Sequence, residues 1–229
     1  INRMMADEMD RFKAIMSSSS CIKKMLQGSW WLTVTQFCIE GLMVEGEAGE
    51  AMANRFAESM LEEVIDKDGV LKLGHKELHS FDGMSAFASL LKHAYKQTAL
   101  ELGDGKSDLS AEWLPQLCAA LAGHPSLRRL ALRRMAFHHS SQEVCDAGLR
   151  SLSAVLRDSQ VLEVLQLQAC GLESRHIVPL CAELSGAPIR LKELDLSANK
   201  IADEGLMALA RVFAIDGVTL EMLDISGQG

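Results

Sequence analysis

Four leucine frames recur in the second half of the chain. Leu127-Arg-Arg-Leu130-Ala-Leu132 is the first, and Leu162-Glu-Val-Leu165-Gln-Leu167 the second. Leu191-Lys-Glu-Leu194-Asp-Leu196 and Leu220-Glu-Met-Leu223-Asp-Ile225 follow. The last three begin at 162, 191 and 220, a period of 29 residues. A short repeat cannot bury its apolar face alone, so neighbouring copies must stack to make a core. Within each frame the leucines alternate with other residues, which predicts a strand whose leucines point inward.

The period leaves room for a helix after each strand. Leu149, Leu152, Ser153 and Leu156 fall at helical spacing. So do Ile177, Leu180, Cys181 and Leu184, then Leu206, Leu209, Ala210 and Phe213, and earlier Leu114, Leu117, Cys118 and Leu121. Each stripe gives a helix one apolar face. Alternating strand and helix predicts an α/β solenoid, with parallel strands on the concave face and helices on the convex face. Asn199 follows its frame where a side-chain amide can satisfy the backbone of neighbouring loops. Cys170 takes that slot one repeat earlier, Met135 in the first frame and Gln228 in the last. Leu100-Glu-Leu102 reads as an earlier, degenerate frame, with Gln97 at its first leucine position, Gly105 in the Asn slot and a helix over 110–122.

Asn199-Lys-Ile201 followed by Asp203-Glu-Gly205-Leu206, together with Asp146-Ala-Gly148-Leu149 and the link Leu121-Ala-Gly-His-Pro-Ser-Leu127, resembles the ribonuclease-inhibitor type of leucine-rich repeat. The same type occurs in the sensor arms of nucleotide-binding immune receptors. The resemblance covers roughly residues 97–229. It implies a eukaryotic, intracellular protein that binds other proteins on the concave face. Two departures stand out: an insertion at Phe137-His-His-Ser-Ser-Gln142, and an array too short to close a horseshoe.

The domain division read from these patterns is a mainly α-helical N-terminal region over 1–95 and a repeat array over 96–229. The array is expected to continue beyond 229, because the last frame has no helix to cover it. The net charge of −8 over 229 residues argues against nucleic-acid binding, which needs a basic surface. Six cysteines lie scattered with no Cys-x-x-Cys pair, which fits a reducing intracellular compartment, cytoplasm or organelle interior.

In the N-terminal region, Met5, Met9, Phe12 and Met16 form one helical stripe and Met52, Phe56, Met60 and Val64 a second, with Ala57 and Leu61 beside it. Phe87, Leu90, Leu91 and Ala94 form a third. The apolar run over 29–44 contains Gln36 and Glu40 and is shorter than the about 20 residues a membrane span needs. It reads as a buried helix, or as one that offers Trp30 and Trp31 to a partner or a membrane surface.

Asp66-Lys-Asp68-Gly-Val-Leu-Lys-Leu73-Gly-His-Lys-Glu77 has a partial calcium-loop pattern, with Asp66, Asp68 and Glu77 at the first, third and twelfth positions. Val70 at the fifth position offers no side-chain oxygen, and Leu71 stands where the loop calls for glycine. The other reading is an Asp-Gly turn running into a short strand. Calcium is the one cofactor the pattern suggests. His75 and His79 are one helical turn apart, but Lys76 occupies the place of the metalloprotease glutamate. His138-His139 reads as a solvated pair. No phosphate loop or catalytic triad spacing is present, so the chain reads as non-enzymatic and a small-molecule ligand is not expected.

Residues between and after the leucines should face the concave side. They are Arg129, Ala131 and Arg133; Val164, Gln166 and Gln168; Glu193, Asp195 and Ser197; and Met222, Asp224 and Ser226. The face runs from basic to acidic, with Arg128 and Arg134 expected to strengthen its basic end. The expected role is a protein-binding scaffold, a subunit of a larger assembly, with Arg129, Arg133, Gln166, Gln168, Glu193, Asp195, Asp224, Trp30 and Trp31 as the contact residues. A calcium-responsive regulator, or the recognition arm of a larger signalling protein, are the other readings.

Overall fold

The fold is described from a computed structural model, which describes residues 39–40, 46–62, 65–66, 69–73, 81–103, 108–187, 189–214 and 220–229. Trp30 and Trp31, the Met5 to Met16 stripe, His75, His79 and Gly105 lie outside the described residues. Among the described residues the elements run α1 Glu47–Glu62, β1 Val70–Leu73, α2 Phe81–Leu91, β2 Ala99–Leu102, a 3-10 turn Ala111–Trp113 leading into α3 Leu114–Leu121, and β3 Arg129–Leu132. A second 3-10 turn, Phe137–His139, precedes α4 Gln142–Asp158. Then come β4 Val164–Gln166, α5 Ser174–Leu184, β5 Glu193–Asp195, α6 Asp203–Phe213 and β6 Met222–Asp224.

The strands form one six-stranded parallel sheet in chain order. Pairing is in register throughout: Leu71, Leu100, Leu130, Leu165, Leu194 and Leu223 lie side by side across it. From β1 to β5 these leucines are no more than 4% exposed, whereas Leu223 on the last strand is 41% exposed. Register holds because a one-residue slip would turn every leucine to the opposite face. The helical stripes close the other side. Leu149, Leu152, Leu156, Ile177, Leu180, Leu184, Leu209 and Val212 join the strand leucines in one core.

The sheet begins inside the stretch expected to be mainly helical. β1 pairs with β2 over four residues, so the sheet crosses the division placed at 95–96. The region is helical on either side of β1, and Ala57, Leu61, Phe87, Leu90, Leu91 and Ala94 are buried as their spacing predicts. Within the calcium-loop pattern, 70–73 form this strand, in keeping with the reading of a turn running into a short strand, and Leu71 and Leu73 are core residues. Two residues out of helical period were too few to outweigh the helical stripes around them. The degenerate frame is present: β2 spans Ala99–Leu102, Gln97 is buried, and Ser110 caps the following turn by accepting from the Glu112 N–H.

The polar slot works as its residue types demand. Asn199 is buried and its Oδ1 accepts from the N–H groups of Cys170 and Leu172, both at 3.0 Å. Its Nδ2 donates to the carbonyls of Leu167 and Leu196, both at 2.8 Å. Gln228 repeats this one turn on, accepting from the Ile201 N–H and donating to Leu196 O. Cys170 donates its thiol to Leu132 O at 3.2 Å. The residue before each slot must turn back on itself. Arg134, Ala169 and Ala198 have φ of 56°, 55° and 55°, a left-handed conformation that costs an L-residue about 1–2 kcal/mol.

The glycine of the Asp-x-Gly-Leu signature has a packing role. A Cβ at Gly205 would press on Ile201 and on Ser174 of the preceding repeat. Ser174 Oγ instead accepts from the N–H groups of Ala202 and Gly205, joining the starts of α5 and α6.

Two substitutions test this architecture by thermal and urea melts followed by circular dichroism. Leu194→Asp buries an unpaired carboxylate and is expected to unfold the array, at a cost above about 4 kcal/mol. Gln166→Asp, on the outer face of the neighbouring strand, should change stability by less than about 1 kcal/mol. Asn199→Ala takes the side-chain partner from the Cys170 and Leu172 N–H groups and from Leu167 O, while Leu196 O keeps Gln228, and should cost roughly 3 kcal/mol or more.

Candidate functional site: the outer face of the sheet

Alternation along the strands turns three rows of side chains away from the core. In register, the first row reads Val70, Ala99, Arg129, Val164, Glu193, Met222. The second reads Lys72, Glu101, Ala131, Gln166, Asp195, Asp224. Arg133, Gln168, Ser197 and Ser226 follow the strand ends. The structure therefore brings Arg129, Arg133, Gln166, Gln168, Glu193, Asp195 and Asp224 onto one face.

Ala131 sits at the centre of this face and is fully buried. Arg129 and Arg133 flank it along β3, and Glu101 and Gln166 are its register neighbours, so four long side chains surround it. Arg129 Nη2 donates to Gln166 Oε1 at 3.1 Å, a neutral acceptor that leaves the guanidinium charge uncompensated. Arg133 Nη1 lies 3.9 Å from Glu101 Oε2, which Lys72 Nζ approaches at the same distance. The Nε of Arg129 and of Arg133 are both buried without a hydrogen-bond partner. At the other end, Asp195 and Asp224 accept from the N–H two residues on, Ser197 and Ser226, each at 2.8 Å. For Asp224 that backbone bond, aided by the Ser226 side chain, holds the carboxyl below its ordinary value. Among the described residues Glu193, Asp195 and Asp224 have no ion pair.

The basic end differs from the sequence reading. Arg128 pairs with Glu163 at 3.0 Å, and Lys192 pairs with the same carboxylate at 3.3 Å. Arg134, with its left-handed backbone, turns to Asp108 at 2.7 Å. Neither reinforces Arg129 and Arg133. Glu101, missed as a site residue, stands between the basic side chains; its place between two frame leucines was the available signal. Of the calcium candidates, Asp66 uses Oδ1 to accept from the Val70 N–H and Oδ2 to pair with Lys72 at 2.7 Å. Asp68 and Glu77 lie outside the described residues. No helix among the described residues is long and apolar enough to cross a membrane.

The described cysteines are free and buried. Burial pushes the thiols of Cys118 and Cys170 up to about 12 and that of Cys181 to about 11, so they stay protonated and unreactive.

In-register parallel strands, backed by helices and presenting a polar outer face, make a repeat platform. Its repeats are similar to leucine-rich repeats of the ribonuclease-inhibitor type. The leucine-rich repeat family model matches residues 191–210. The chain is 37% identical to pig ribonuclease inhibitor over 114 residues, covering 49% of this chain and 23% of that protein. It is 34% identical to mouse Tonsoku-like protein over 122 residues and 37% identical to mouse capping protein, Arp2/3 and myosin-I linker protein 2 over 113 residues. Those matches cover 52% and 48% of this chain and 8% of each relative. The chain thus spans less than a quarter of the curated relatives it matches.

Two buried histidines, His124 and His176, and the half-buried His93 set a pH dependence. Burial is the largest cause holding His93, His124 and His176 below their ordinary value of 6.5. His124 Nδ1 accepts from the Ser126 and Leu127 N–H groups, and its Nε2–H donates to Ala94 O at 2.9 Å, which requires the neutral ring. The unfolded chain takes these protons first. Their stabilisation is whole above about pH 6.5 and is lost as pH falls toward the depressed folded values. Melts at pH 7.5 and 5.0 should show a lower Tm at pH 5.0, by roughly 2–4 °C per kcal/mol lost. His124→Gln should reduce that difference.

Proposed function

We propose that this chain is a non-enzymatic protein-interaction scaffold, a subunit of a larger assembly. It binds through the outer sheet face a partner whose acidic groups meet Arg129 and Arg133 and whose basic groups meet Glu193, Asp195 and Asp224. The observation that carries this reading is the state of those charges. Arg129 has only the neutral Gln166 as acceptor, Arg133 has Glu101 no nearer than 3.9 Å, and three carboxylates have no ion pair among the described residues, all on one sheet face. A partner that supplied acceptors and cations there would satisfy both ends and fix its own orientation. The names of the relatives lend support: an inhibitor of ribonuclease and a linker of capping protein, Arp2/3 and myosin-I act by contacting proteins. Buried, unpaired thiols fit a reducing intracellular compartment.

The calcium-responsive reading is the less favoured one, because Asp66 already spends both oxygens on Val70 and Lys72.

Affinity capture with the wild-type chain, followed by mass spectrometry and then binding measurements on the captured protein, tests the proposal. Arg129→Gln with Arg133→Gln, and separately Asp195→Asn with Asp224→Asn, should each weaken binding at least about tenfold without lowering Tm. Glu183→Lys on the exposed side of α5 should leave binding unchanged. Equal binding by wild type and both outer-face pairs would remove this face from the function.

A further inference from the structure

A second cluster lies apart from the sheet face, on the loop edge where β2 and β3 end. Asp108, His138 and His139 each offer a ligand atom, and these atoms all lie within 4.8 Å of one another. Among the described residues this is the group of histidine and carboxylate side chains that converges so closely. The residues come from successive repeats, and each is fixed by a buried neighbour. Leu109 is fully buried; its N–H donates to Arg134 O at 2.9 Å, and its carbonyl accepts from the Ala136 N–H at 2.8 Å. Phe137 is also fully buried and donates its N–H to Cys170 O at 3.2 Å. The turn carrying the histidines is closed by the His139 N–H on Ala136 O and the Ser140 N–H on Phe137 O, both 3.2 Å.

Two further features fit a bound cation. The imidazole centroids are 3.9 Å apart, so the rings share one side of the turn instead of diverging into solvent. Gly171 of the next repeat, at φ +68°, gives His138 its space; a Cβ there would collide with His138 Nδ1. Arg134 reaches Asp108 through Oδ1 alone, by Nε at 2.9 Å and Nη2 at 2.7 Å. Among the described residues the other carboxylate oxygen has no hydrogen bond.

We propose that Asp108, His138 and His139 form a binding site for a divalent transition-metal ion of the zinc class. Two imidazole nitrogens and one carboxylate oxygen are the donor set that suits such ions, and an all-oxygen cation such as calcium would not use it. Metal–ligand distances of about 2.0–2.2 Å require the three atoms to close in by about 1 Å, within the reach of side-chain rotation. Three protein ligands, two of them on an exposed turn, leave the remaining position open to water or to a ligand from a binding partner. The nearby Arg134 charge opposes the cation, so binding in the micromolar range is expected.

The test is isothermal titration of the tag-free chain with zinc chloride, with cobalt absorption spectra as a second readout. The wild type should bind one ion at this site and develop visible cobalt bands. His138→Ala and His139→Ala should each weaken zinc at least tenfold, and their combination should abolish the cobalt bands. Asp108→Asn should weaken zinc by several-fold. His75→Ala with His79→Ala should leave all of this unchanged. The exposed positions of His138 and His139 predict unaltered metal-free melts for their variants. Silence of the wild type, or zinc binding untouched by the His138/His139 pair or lost with the His75/His79 pair, would overturn the proposal.

Discussion

The lateral stacking of aliphatic side chains from one repeat onto the next is the interaction on which everything else rests. No strand here exceeds four residues among those described, and none could hold itself together. Each leucine is buried because the leucine in register beside it is buried, and the helix behind closes the third side. The outermost row shows the dependence from the other direction. Leu223 has a neighbour on one side, at Leu194, and is 41% exposed, whereas Leu194 has two and is 4% exposed.

Stacking of this kind forces the chain to turn sharply after each strand, and the turn would bury unpaired backbone groups. Asn199 answers that need with four strong hydrogen bonds to two repeats. Gln228 does so with a longer side chain, and Cys170 with one thiol. The left-handed residues at 134, 169 and 198 are the geometric counterpart of that turn. At Arg134 the same backbone turn redirects a long cationic side chain to the loop edge, onto Asp108. A feature required for packing thus decides which charges remain on the sheet face and which leave it.

The repeat half was legible because its code is short-range and periodic. Leucine alternation placed β3 to β6, helical spacing placed α3 to α6, and the Asn199 slot was readable from its neighbours. The stretch around Val70–Leu73 was less so. Its two core leucines sit in a local context of Asp, Gly and Lys that equally suits a turn, and only pairing with β2 makes it a strand. On the outer face, alternation correctly grouped Arg129, Arg133, Gln166, Gln168, Glu193, Asp195 and Asp224. It could not show that Glu101 and Glu163 would neutralise part of the basic end, since those ion pairs join residues about a repeat apart.

The amino-acid order alone determined the class of fold, the inward and outward residues of each repeat, and the polar slot, because period and side-chain type are local properties that stacking merely multiplies. Tertiary structure decided where the sheet begins, which charges pair, and that Asp108 meets His138 and His139. Those outcomes depend on distances between different coils of the solenoid, and such distances are set only once the coils have packed.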